Sequence, residues 1–108
     1  MAVEVNDMPD DSRKLITIVT EAVLEAELCE ELLKLGASGY TVSNARGRGS
    51  RGVRDAGWSS NSNIRIEIVC SDDIAHRIEQ HMRQKYYDDY AMILFESDVR
   101  VLRTDKFT

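Results

Sequence analysis

The sequence predicts an α+β fold of ferredoxin-like order, βαββαβ, with a long loop between the second and third strands. Three observations predict it. Apolar residues recur with strand and helix spacing in the order strand, helix, strand, strand, helix, strand. Gly36, Ser71 and a glycine–arginine run starting at Arg46 fall at joints between these segments. The first and last strands are apolar toward both faces, the pattern of a sheet buried on each side.

Each element has its own signal. Lys14 to Thr20 is β-branched and apolar, which predicts a strand. From Glu21 to Leu35 the period changes. Val23, Leu24, Leu28, Leu32 and Leu35 fall on one helical stripe, and the glutamates lie mostly off it. Thr20 is placed to cap this helix and Gly36 to end it. Gly39 to Ala45 predicts the second strand, with Tyr40 and Val42 on one face. The loop spans about 46–62 and holds Trp58 and a Ser/Asn-rich end. Asn63 to Cys70 alternates, with Ile64, Ile66, Ile68 and Cys70 on one side and Arg65 and Glu67 on the other. Ser71 is a natural N-cap, and Asp72 and Asp73 complement the dipole of the second helix. Ile74, Ile78, Met82 and Tyr86 form its stripe. Ala91 to Glu96 predicts the last strand, and Val99 to Arg103 an extended tail. Residues 1–12 read as a disordered lead-in and 13–108 as the folded domain.

Composition narrows the function. A chain of 108 residues with 43% apolar content fills one domain with a modest core. No run is long and apolar enough to cross a membrane, and Met1 to Ser12 lacks the pattern of a signal peptide, so a cytoplasmic protein is expected. Cys29 and Cys70 read as free core thiols, and no paired cysteines suggest zinc. His76 and His81 lie five apart on a helix, diverge, and read as surface residues. No nucleophile–base arrangement or acid–base carboxylate pair is recoverable, so no enzymatic activity and no metal is expected.

The net charge is −5, yet Arg46, Arg48, Arg51 and Arg54 stand together with Gly47, Gly49 and Gly52 and no carboxylate. Glycine lets backbone N–H groups come close to a ligand, and arginine offers a planar fork of donors for phosphate or carboxylate oxygens. Three readings stay open: a solvated loop, an RNA or single-strand binding segment, and a site for a small anion or nucleotide. The acidic total and the Thr, Arg and Glu expected on the exposed sheet face weigh against nucleic acid. The loop leaves a strand without opening a helix, which excludes a dinucleotide fingerprint or a P-loop. Asp88 and Asp89 read as turn residues or as a ribose contact at a pocket rim. Tyr86, Tyr87 and Tyr90 read as core and interface aromatics. The two-sided apolar strands imply a partner subunit over the bare face.

Four segments carry a family resemblance: Gly36–Val42 (GASGYTV), Gly47–Ser50, Ile64–Asp73 (IRIEIVCSDD) and Val99–Thr104. In this order they resemble the PII signalling superfamily. Gly49–Arg54 (GSRGVR) and Lys85–Tyr90 (KYYDDY) are most similar to the PII-like proteins of bicarbonate-uptake and carboxysome operons. The resemblance implies a homotrimer with its sheets turned inward and an adenine nucleotide in each cleft between subunits. Carried over, the nucleotide residues are Thr20, Val42, Arg48, Gly49, Ser50, Arg51, Arg54, Asp89, Tyr90 and, from the next subunit, Arg103. Bicarbonate is implied near Arg46 and Arg51. The turn Tyr87–Tyr90 has no glycine, and Arg51 stands where relatives that sense 2-oxoglutarate carry glutamine. These departures favour ADP, AMP or cyclic AMP over Mg-ATP. The implied partner is a membrane bicarbonate transporter or a carboxysome protein, with recruitment to the inner membrane or carboxysome, and no nucleic acid.

Overall fold

The computed structural model describes residues 11–47 and 62–102. Strand β1 (Ser12–Glu21) runs through a 3-10 turn (Ala22–Leu24) into helix α1 (Glu25–Lys34). Then come β2 (Thr41–Ala45), β3 (Asn63–Cys70), helix α2 (Asp72–Lys85) and β4 (Ile93–Arg100). The strands form one antiparallel sheet in the order β2-β3-β1-β4. This is the predicted α+β, ferredoxin-like fold.

The register explains the core. Ile16 faces Ile68 and Ile18 faces Ile66, so the isoleucines of the two central strands share one face. Leu28 and Leu32 of α1, and Ile78 and Met82 of α2, pack on that face, all fully buried. Burying one such side chain contributes roughly 1.5–3 kcal/mol. Cys29 and Cys70 are free and buried, as expected.

The opposite face carries Leu15, Thr17 and Val19 of β1, Val69 of β3, and Ile93 and Phe95 of β4. No described element covers it. Ile93 is 57% and Phe95 47% exposed. The sequence placed Thr, Arg and Glu there, and Thr17, Arg65 and Glu67 are present. Phe95 adds an aromatic on the edge strand.

Local stop and start signals act as expected. Gly36 takes φ 113°, a conformation L side chains rarely adopt. There its N–H donates to Leu33 O and that of Ala37 to Leu32 O, both at 3.1 Å, closing the end of α1. The Ser71 hydroxyl accepts from the Ile74 N–H at 3.3 Å and caps α2.

Four expectations need correction. Thr20 does not cap the first helix, because it is a buried residue of β1. The chain enters α1 through a 3-10 turn whose N-cap, Glu21, makes no side-chain cap bond. That tighter turn shifts Val23 off the helical stripe, and it is 67% exposed. The last strand continues from Ile93 to Arg100 without a break. Ser97 and Asp98 interrupt its apolar run, but Lys14 meets Asp98 across the ladder and the register holds. Ser12 likewise belongs to β1 rather than to a lead-in, and Asp11 O accepts from the Val101 N–H at 3.0 Å. No described helix is long and apolar enough to cross a membrane.

Candidate functional site

One end of the sheet gathers most of the describable site. Ala45 pairs with Asn63, and Asn63 with Glu21, so the ends of β2, β3 and β1 lie in one row. The long loop starts from this row at Arg46 and Gly47, both exposed, and returns to it at Ser62. Ser62 O accepts from the Ala22 N–H at 2.9 Å, fastening the returning chain to the start of the first helix.

The turn from α2 into β4 reaches the same end. Its near anchor is Tyr86, whose ring is buried and whose carbonyl accepts from the N–H groups of Asp89 at 3.1 Å and Tyr90 at 3.0 Å. The Tyr86 and Tyr90 rings lie 5.8 Å apart, within aromatic contact. The far anchor is Ala91. Its carbonyl accepts from the Thr20 hydroxyl at 3.1 Å, and its N–H donates to Glu21 Oε2 at 3.3 Å. Thr20, Asp89 and Tyr90, predicted as site residues, are thus brought together, with Asp89 exposed and Tyr90 partly buried.

Val42 is not with them. It lies on β2 opposite Ile66, and β3 separates it from β1. Within one chain it packs partly against the core. Arg46 is exposed beside the loop's exit. Arg48, Gly49, Ser50, Arg51, Arg54 and Arg103 lie outside the described residues.

A polar network holds Tyr86 in place. Its hydroxyl lies 2.7 Å from Glu27 Oε2 and 2.8 Å from Glu31 Oε1, so its one proton serves one carboxylate at a time. Burial, then these two carboxylates, push the phenol well above its ordinary value. His81 Nε2 lies 2.7 Å from Glu31 Oε1, and Lys85 donates to Glu31 and sits 3.3 Å from Glu27. Burial works against ionising Glu31, but hydrogen bonds from Lys85, His81 and Tyr86 overcome it and hold its carboxyl at about 2. His81, read from the sequence as a surface residue, is partly exposed and is tied to Glu31 of the other helix. The only sequence signal was two i, i+4 pairs, Glu27/Glu31 and His81/Lys85, on different helices.

The hollows described on a single chain lie elsewhere. One of about 480 Å³ is lined by Asp72, Asp73, His76, Arg77, Glu79 and Glu96. Another, of about 220 Å³, runs along Arg83, Tyr87 and Leu94. Neither includes Thr20, Val42, Asp89 or Tyr90. Among the described residues no cluster of His, Cys, Asp and Glu is fit to hold a metal ion.

Known proteins resemble this arrangement along nearly its whole length. A family model described as nitrogen regulatory protein P-II matches residues 13–106. A PII-like signaling protein from Thermus thermophilus is 44% identical, with TM-score 0.78, and the match covers 90% of this chain and 96% of that one. CPII from Thiomonas intermedia, a nitrogen regulatory PII-like protein solved with ADP, AMP and bicarbonate, is 23% identical. That match has TM-score 0.75 and covers 89% and 93% of the two chains. The GlnK–ATP complex of B. subtilis is 21% identical with TM-score 0.54, covering 81% and 85%. The family match over most of the chain, the 44% identity and the shared sheet leave one assignment: this chain belongs to the P-II family of nitrogen regulatory proteins.

Proposed function

We propose that this PII-like regulatory protein is a non-enzymatic sensor of inorganic-carbon or energy status. It assembles as a homotrimer and binds ADP, AMP or cyclic AMP between subunits, with bicarbonate as a second ligand near Arg46 and Arg51. The carrying observation is the split of the site. Thr20, the anchored turn and both ends of the long loop share one end of the sheet, whereas Val42 lies on the β2 edge with β3 in between. A second copy that brings its own edge to this end completes the cleft. The uncovered apolar face of the sheet supplies a reason for copies to associate.

CPII is described with ADP, AMP and bicarbonate, which supports the same ligands here. In the proposed mechanism, Asp89 and Tyr90 hold the adenosine on the anchored turn, and Arg51 and Arg54, helped by Arg48, Gly49 and Ser50, close on the phosphates. Arg103 adds charge from the next subunit. Ligand then selects one conformation of the 46–62 loop, and that conformation decides what a bicarbonate transporter or carboxysome protein can grip. The protein is cytoplasmic and reaches the inner membrane or carboxysome only through that partner.

Calorimetry with ADP, AMP and cyclic AMP, with and without bicarbonate, tests this reading. Binding is expected for the wild type, and Arg51→Ala with Arg54→Ala is expected to weaken it at least tenfold while sedimentation still reports a trimer. A wild type indifferent to all three nucleotides sinks the reading. Salt-steep binding to oligonucleotides with no mononucleotide binding replaces it with the nucleic-acid alternative.

A further inference from the structure

The seam between α2 and β4 holds two carboxyl groups in contact. Glu79 comes from the helix and Glu96 from the edge strand, and both stand in the walls of the same two hollows, near enough for each to bear on the other's proton. An ionised carboxylate only accepts, so two carboxyl groups side by side join in a hydrogen bond when one of them keeps a proton. Glu79 Oε2 is buried and no donor among the described residues reaches it, a situation that costs less for a neutral acid than for an anion. Glu96 has a cation beside it, with Lys14 Nζ of β1 3.5 Å from its Oε2. The same ammonium reaches Asp98 of β4 and, at 3.9 Å, Asp72 of α2. Both hollows along the seam have Glu79 and Glu96 in their walls, so the pair borders space wide enough for water.

We propose that Glu79 and Glu96 form a proton-dependent latch: one shared proton fastens α2 to the edge strand β4, and losing it loosens the seam. The surrounding groups fit this role. On α2 itself, Asp72 opposes the Glu79 anion and Arg83 favours it, and His76 lines the wider hollow. From β4 the facing groups are Glu96 and Asp98, and from β1 Lys14. At the end of β3, Cys70 stays a neutral thiol, pushed up to about 11 by burial and then by Glu79, Glu96 and Asp72. Hydrogen bonding to Glu96, then burial and the charges of Glu96 and Asp72, push Glu79 up to about 7.

The sign follows from linkage. The folded state holds this proton more tightly than the unfolded chain, whose ordinary value is 4.5. The latch's stabilisation is therefore complete below 4.5 and is lost as pH rises through about 7. The narrower hollow that the pair borders is also lined by Tyr87, the first residue of the proposed nucleotide turn. Tyr87 follows Tyr86 at the end of α2, and its hydroxyl accepts from the Leu94 N–H of β4 at 3.1 Å.

A pH titration of the glutamate side-chain carboxyl carbons by NMR, on the full chain, tests the latch directly. One midpoint near neutrality is expected in the wild type. It should vanish in Glu79→Gln and drop toward the ordinary range in Glu96→Gln. In parallel, the wild-type melting temperature should fall from pH 5 to pH 8, and Glu79→Gln, which still donates to Glu96, should fall less. Wild-type glutamates that all titrate below about 5.5, roughly one and a half standard deviations above the mean for glutamates in folded proteins, overturn the proposal. So does a Glu79→Gln protein with an unchanged melting slope. Neither readout needs a nucleotide, so the latch and the sensor reading fail independently.

Discussion

The Thr20 hydroxyl donates to the Ala91 carbonyl at 3.1 Å, joining two points 71 residues apart in the chain. Thr20 is buried, so water is poorly placed to replace it. Thr20→Val keeps the shape and removes the donor, leaving the carbonyl without that partner. The expected loss is about 1–3 kcal/mol in urea unfolding, with Thr20→Ser close to wild type. If the turn is part of the nucleotide site, calorimetry should also record weaker ADP binding for Thr20→Val. Equal stability of the valine variant and the wild type would mean that this bond does not anchor the turn.

Gly36 tests the end of α1. Its φ of 113° lies where a side chain is strained whatever space surrounds it. A Cβ there would also meet Ile74 Cδ1 at 3.2 Å, a flexible side-chain end that can yield. Backbone strain therefore dominates, and Gly36→Ala is expected to lose about 1–3 kcal/mol in denaturant unfolding. An alanine variant as stable as the wild type would show that the helix ends in another conformation.

The Glu31 network predicts acid sensitivity of the opposite sign to the latch. Hydrogen bonds from Lys85, His81 and Tyr86 outweigh burial and hold Glu31 at about 2, below its ordinary 4.5. A depressed carboxyl stabilises the fold fully above 4.5, and that contribution is lost as pH falls toward about 2. Melting temperatures between pH 6 and pH 2 should fall for the wild type and fall less for Glu31→Gln. Parallel curves would remove Glu31 from the acid response.

Much of the fold was legible because its signals are local. Gly36 needs only its own φ, Ser71 only the N–H three residues on, and the isoleucines of β3 only their alternation. Thr20 misled for the same reason. A threonine before a helical stripe looks like a cap, and its actual partner, Ala91, is remote in sequence. The tie of His81 was not legible because Glu31 sits on the other helix. Glu79 and Glu96 escaped notice because a helix residue and a strand residue become a pair only when α2 packs along β4. Of the predicted site, the parts fixed by backbone register came together at one sheet end, and Val42 did not, because β2 is the far edge. The loop arginines carry the sequence signal by composition alone.

The open sheet face decides whether the split site can be completed. Ile93 sits beside Val19 and Phe95 beside Thr17 on β4 and β1, and both β4 side chains are about half exposed in one chain. Apolar surface removed from water contributes roughly 25 cal/mol per Å², so a ring buried by a neighbouring copy adds directly to association. Phe95→Glu places a charge where that copy would sit, yet it removes nothing from the buried isoleucine core. The expected result is a folded monomer by sedimentation, with helix and strand content retained by circular dichroism. If the proposed cleft lies between copies, nucleotide affinity should fall with the trimer. A Phe95→Glu protein that remains trimeric would move the interface off this face, and a monomeric variant that binds ADP as tightly as the wild type would place the whole site within one chain.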